Sequence, residues 1–153
     1  MKVTLAAVGR LRVRVFGPAW DLYADRLPHY CSFNCVEVKE ATERSAAESR
    51  IFESRGLLDA TRAAGFRVAL DARGEPVDSV ALARRLERAL QQGPDHWAFC
   101  IGGSHGHDDA LLAASQWRWS LGPLTLPHEL ARVVVAEQLY RAFSIVRGEP
   151  YHK

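Results

Sequence analysis

The chain has 153 residues, 48% of them hydrophobic, and a formal charge of +2, which suits a single domain, residues 1–153, able to bury a core without disulfide or metal staples. A field this close to neutral excludes nucleic-acid attraction by the molecule as a whole, so any such binding must come from a local cluster of Arg and Lys. The three cysteines, Cys31, Cys35 and Cys100, lack the CxxC spacing of zinc or thiol-redox sites and are read as reduced packing residues. The apolar run in MKVTLAAVG is too short for a signal peptide and no segment has the length of a membrane span, so a soluble cytoplasmic protein without a membrane partner is expected.

In chain order, β-rich runs at residues 2–9, 33–40, 66–72, 96–103 and 119–126 alternate with helical patterns near 18–27, 45–64, 79–92, 108–116 and 127–146. The alternation implies an α/β fold with a mostly parallel sheet. Asp78 or Ser79 is placed to cap the third helix, whose Leu82, Leu86 and Leu90 recur at helical spacing and which Gly93 and Pro94 end. DARGEP, residues 71–76, is expected as a polar turn, and the charged KEATERSAAESR as a solvated helix entry.

The turn after the first strand reads AVGRLRVRVFG and has no GxGxxG phosphate loop. Residues 102–106 match G-x-S-x-G, the nucleophile elbow of hydrolases. Ser104 would then need an acid and a later His, but before His128 only Asp108 and Asp109 follow, in the next helix. Glycines that let backbone approach a ligand or a crossing strand explain the loop better. His105 and His107, followed by those aspartates, read as an exposed loop before an Asp-capped helix, and no metal site is expected. GPLTLP, residues 122–127, is apolar and restricted by Gly and Pro; it fits a pocket for a planar ligand held by backbone groups and equally a structural tight turn.

The last helix opens with Pro127 and with Glu129 in its first turn. Its apolar residues occupy two sides: Leu130, Val133, Val134, Ala136, Tyr140 and Phe143 on one, and Ala131, Val135, Leu139, Ala142 and Val146 on the other. One sheet face cannot bury both, so a second subunit is expected over the Val135 side. The tail IVRGEPYHK places Arg147, Tyr151, His152 and Lys153 within reach of Arg141, a basic and aromatic set able to contact phosphate and stack a base, although frayed ends are common.

IGGSHG, SLGPLTLPHELARVVVAEQLYRAFSI and RGEPYHK closely resemble the C-terminal region of the RlmH (YbeA) methyltransferases of the SPOUT class; KVTLAAVGR and LYADRLPHY are also similar to that family. The resemblance implies a homodimeric SPOUT methyltransferase fold with a C-terminal trefoil knot, an exception to the usual unknotted chain. It implies S-adenosyl-L-methionine bound by Leu70, Gly102, Gly103 and the loop Leu121, Gly122, Pro123, Leu124, Thr125, Leu126 and Pro127. The implied reaction is methylation of N3 of a pseudouridine in the helix 69 loop of 23S rRNA, within the ribosome. Methyl transfer needs an in-line nucleophile and a group that handles the N3 proton. His128 is the candidate for the proton, Arg132 for stabilising negative charge on the ring, and Tyr151 and His152 for positioning the base. The alternatives are a small serine hydrolase using Ser104 and a non-catalytic RNA-binding dimer.

Overall fold

A computed structural model describes residues 1–152; Lys153 of the expected tail set lies outside the described residues. The five runs become strands β1 (Lys2–Val8), β2 (Ser32–Val38), β3 (Phe66–Pro76), β4 (His96–Ile101) and β5 (Trp117–Ser120). All pairings are parallel, in the order β2-β1-β4-β3-β5. Helices α1 (Phe16–Ala24), α2 (Ala46–Ala60), α3 (Ser79–Gln92), α4 (Asp109–Ala113) and α5 (His128–Val146) make the crossovers and the final layer.

Alternation along the strands separates two cores. Val3, Leu5, Ala7, Val68, Trp97, Phe99 and Trp119 pack with α1, α3 and α5, whereas Ala6, Val8, Ala69 and Cys100 pack with α2 and α4. Helix starts follow local chemistry. Ser45 and Glu48 form a reciprocal capping box on α2, Asp78 caps α3 through the amide of Ala81, and Asp108 caps α4 through that of Leu111.

Two features differ from the sequence expectation. DARGEP is not a turn after β3. The strand bulges between Leu70 and Glu75, both of which face Trp119, and then resumes to pair Pro76 with Ser120. Trp117 Nε1 donates to Glu75 at 3.0 Å and Ser120 Oγ to the Ala72 carbonyl at 3.2 Å, which holds the polar excursion against β5.

The second difference concerns α5. Val135, Leu139 and Ala142 are fully buried within the same chain, against the sheet. The Val135 side therefore belongs to the core and not to a second subunit. Leu130, Val134, Gln138, Arg141 and Ile145, which fall within about 80° of one another at 100° per residue, remain half-buried instead.

Candidate cofactor cavity and active site

The bulge of β3 and the carboxyl ends of β4 and β5 enclose a cavity of about 510 Å³, within the range of small-molecule sites. Leu70, Gly102, Gly103, Leu121, Gly122, Leu124, Thr125, Leu126, Pro127 and His128 line it; Pro123 belongs to the loop but not to the wall. Asp71, Ala72, Ile101, Ser104, Gly106, Trp119 and Ala131 complete the lining. Sequence reading missed Asp71 and Ala72 because the bulge that presents them looks like a turn, and Trp119 because strand alternation marks it only as core.

Gly103 makes a close approach: a Cβ there would stand 2.6 Å from Glu53 Oε2, so a larger residue would have to displace that buried carboxylate. Glu53 is buried in α2 and its Oε1 accepts the amide of Ala41 at 2.9 Å, so the helix supports this wall from behind. Gly122 has φ +116, a conformation only glycine adopts readily, and it turns the chain from β5 into the apolar loop. Among the described residues, the amides of Leu124, Thr125 and Leu126 donate to no protein acceptor, in contrast to that of Gly122, which donates to Ser120 Oγ at 3.2 Å. The loop thus offers apolar side chains and unengaged backbone donors to whatever fills the cavity.

His128, the first residue of α5, lies at the mouth, and a Cβ on Gly9 would stand 3.4 Å from its Nε2 and 3.5 Å from Glu40 Oε2. Imidazole and carboxylate therefore flank the end of β1. His107, expected in an exposed loop, is instead buried behind Gly102, and that burial lowers its pKa. Ser104 is exposed on the cavity rim, and its hydroxyl makes no hydrogen bond to a histidine among the described residues.

Arg132 does not point into the cavity as its expected role of stabilising charge on the substrate ring requires. Its side chain is 2% exposed, with Nη1 donating to Glu37 Oε1 at 2.8 Å and Nη2 to the Gly9 carbonyl at 2.9 Å. Glu129, on the same turn, accepts the amides of Arg12 and Val13 at 2.8 Å each, and these amides hold its carboxyl below the usual range. Together the two residues fasten the segment after β1 to the start of α5.

Through His152 the tail is docked, not frayed. Tyr151 packs edge-on against Tyr140 and under the Arg141 guanidinium, its hydroxyl 3.2 Å from Glu137; Arg141 Nη1 lies 3.5 Å from His152 Nδ1; Glu149 accepts the Tyr30 hydroxyl. Glu137 and Tyr140 lie about 14–18 Å along α5 from His128 at 1.5 Å per residue, and Glu137 is half a turn around the helix from it. In this arrangement Tyr151 and His152 do not meet the cavity of their own chain.

A family model described as "Predicted SPOUT methyltransferase" matches residues 1–152. The chain belongs to the SPOUT methyltransferase family. Within that family it is 44% identical, over the full length of both proteins, to "Ribosomal RNA large subunit methyltransferase H" of Anaeromyxobacter dehalogenans (strain 2CP-C). It is 42% identical to the protein of the same name from Gloeobacter violaceus, covering 99% of each chain. Among solved structures, a probable methyltransferase from Bordetella pertussis Tohama I has the same fold, with a TM-score of 0.60 and 16% identity over 93% of each chain. For a SPOUT methyltransferase, the missing GxGxxG turn has a counterpart in the structure: the cavity is walled by the bulge within β3 and by the loops after β4 and β5.

Proposed function

We propose that this chain is an S-adenosylmethionine-dependent ribosomal RNA large subunit methyltransferase. It methylates N3 of a pseudouridine in the helix 69 loop of 23S rRNA, in the cytoplasm, as a homodimer of single-domain subunits with a C-terminal trefoil knot. The observation that carries this reading is the cavity, which unites glycine-lined backbone after β4 with the apolar loop after β5. The relatives' shared name, over whole chains, supports the substrate class.

The residues fit the cofactor. Leu70, Leu121 and Leu126 supply apolar walls for an adenine ring, and the free amides of the loop supply donors for its polar edge. When bound there, S-adenosylmethionine supplies an electrophilic methyl group. The chain's own part is positioning and proton handling. His128 receives the N3 proton at its imidazole, beside Glu40, while Arg132 acts through the segment it fastens. Tyr151 and His152 hold the base. Because they dock about half a helix from their own His128, they serve the cavity of a second copy, and the half-buried Leu130–Val134–Ile145 stripe of α5, next to the docked tail, is the surface on which the copies meet.

Incubation with labelled S-adenosylmethionine and ribosomes tests the proposal. Label should enter large-subunit RNA, with no inhibition by a serine-directed fluorophosphonate. Fluorophosphonate capture at Ser104 without methyl transfer would replace this function with hydrolysis, and ribosome binding without either would leave an RNA-binding dimer.

A further inference from the structure

The segment Arg10–Val15, RLRVRV, is the most basic stretch near the cavity mouth, and none of the chemistry above uses its side chains. Arg10, Arg12 and Arg14 are exposed, and their guanidinium groups meet no acceptor among the described residues. Most other cations near α5 are engaged: Arg132 with Glu37, Arg141 with Glu137, Arg147 with the His29 carbonyl. The backbone beneath the free arginines is held at three amides, Leu11 to Glu37 at 3.3 Å and Arg12 and Val13 to Glu129 at 2.8 Å each. Glu37 and Glu129, the carboxylates that hold the loop's backbone, are thereby occupied by those amides and by Arg132, and make no ion pair with the loop's side chains. A chain of +2 overall so concentrates three unpaired cations on a fastened loop beside His128 and Gly9. Val13, between Arg12 and Arg14, and Val15, just after them, are 46% and 73% exposed.

We propose that this loop is the chain's RNA grip: Arg10, Arg12 and Arg14 contact successive phosphates of the strand that carries the target base, and the Glu129 and Arg132 anchors fix their register to the cavity. The proposal rests on the methyltransferase function above and adds to it a recognition element. Guanidinium groups suit phosphate oxygens geometrically, and phosphate contacts position a nucleic acid without reading its sequence. Fastening the backbone in advance lowers the ordering cost of binding. It also explains how a nearly neutral protein holds a polyanion, since at physiological salt only charges within about 8 Å of the phosphates contribute strongly.

The test compares the full-length protein with two triple variants, Arg10→Gln/Arg12→Gln/Arg14→Gln and the corresponding Lys set. Binding to purified ribosomes is followed by sedimentation from 50 to 200 mM KCl, together with methyl transfer, S-adenosylmethionine calorimetry and oligomeric state. With each single-strand phosphate contact worth about 0.7 in the salt slope, the Gln set should lower the slope of log affinity against log salt by about 2 and weaken low-salt binding on the order of tenfold. Cofactor affinity should be unchanged, and the Lys set should keep the wild-type slope. A Gln variant that keeps the slope overturns the proposal, as does one that loses binding only because the oligomer dissociates, which would make the loop a contact between copies. If wild-type protein binds ribosomes through the loop yet transfers no methyl group, the grip stands and the proposed activity falls.

Discussion

Replacing Arg132 with Met separates a residue that acts on substrate from one that acts through the chain. The guanidinium makes two hydrogen bonds, to Glu37 Oε1 and to the carbonyl of Gly9, and is almost wholly buried. Breaking a buried pair by removing one partner costs about 3–5 kcal/mol, chiefly because a charge is left buried. Here the remaining carboxylate, Glu37, is 42% exposed and can rehydrate, and Arg132 Nε is already without a partner. The loss should therefore fall near the lower end, about 3 kcal/mol, much of it from the Gly9 carbonyl, which keeps no partner in its buried place. Arg132→Lys should recover only part of this, because a point charge cannot serve two acceptors as a planar fork does. Urea denaturation gives the stability, calorimetry the cofactor affinity and ribosome methylation the activity. The expected result is a destabilised protein that retains its cofactor site and loses transfer as the Gly9–Val13 segment loosens. Stability within 0.5 kcal/mol of wild type together with abolished methylation would refute this reasoning and return Arg132 to direct charge stabilisation at the base.

Gly103→Ala should weaken S-adenosylmethionine binding by about tenfold or more, because its Cβ lands on Glu53 Oε2; calorimetry should show a smaller loss in a Glu53→Ala background, as expected of coupled neighbours. Val134→Glu should dissociate the proposed dimer in sedimentation while leaving a folded monomer, whereas Val135→Glu should prevent folding, since Val135 is fully buried within one chain. Mixing a His128→Ala protein with one lacking residues 149–153 should restore methylation that neither shows alone, because one mixed site then combines an intact cavity with an intact tail; no recovery would place the tail on its own subunit. Burial lowers the pKa of His107, so the unfolded chain takes up a proton that the folded chain excludes. Its contribution to stability is then complete above about pH 6.5 and declines as pH falls below that value, by up to about 1.4 kcal/mol per unit; His107→Leu should flatten melting temperature against pH in that window.

Much of this protein was legible locally. Strand and helix order and the Asp78 and Asp108 caps depend on residue patterns a few positions long, where backbone preference and side-chain spacing act directly. The resemblance added which loops to bring together. What depended on distant partners was not legible. The partners of Arg132 are Glu37 and Gly9, 95 and 123 positions away, and those of Glu129 are Arg12 and Val13, 117 and 116 away. No spacing rule links such pairs, so an arginine on the final helix read as a free cation. DARGEP read as a turn because its polarity breaks the strand pattern, yet β5 holds it as a bulge through Trp117 and Ser120. The helix α5 was apolar on nearly every side, so its periodicity could not say which side the sheet would cover. That choice was made by the closing of the chain: with β1 and β4 central and α1 and α3 on the same face, Val135, Leu139 and Ala142 meet the sheet, and the Leu130–Val134 stripe is left outside.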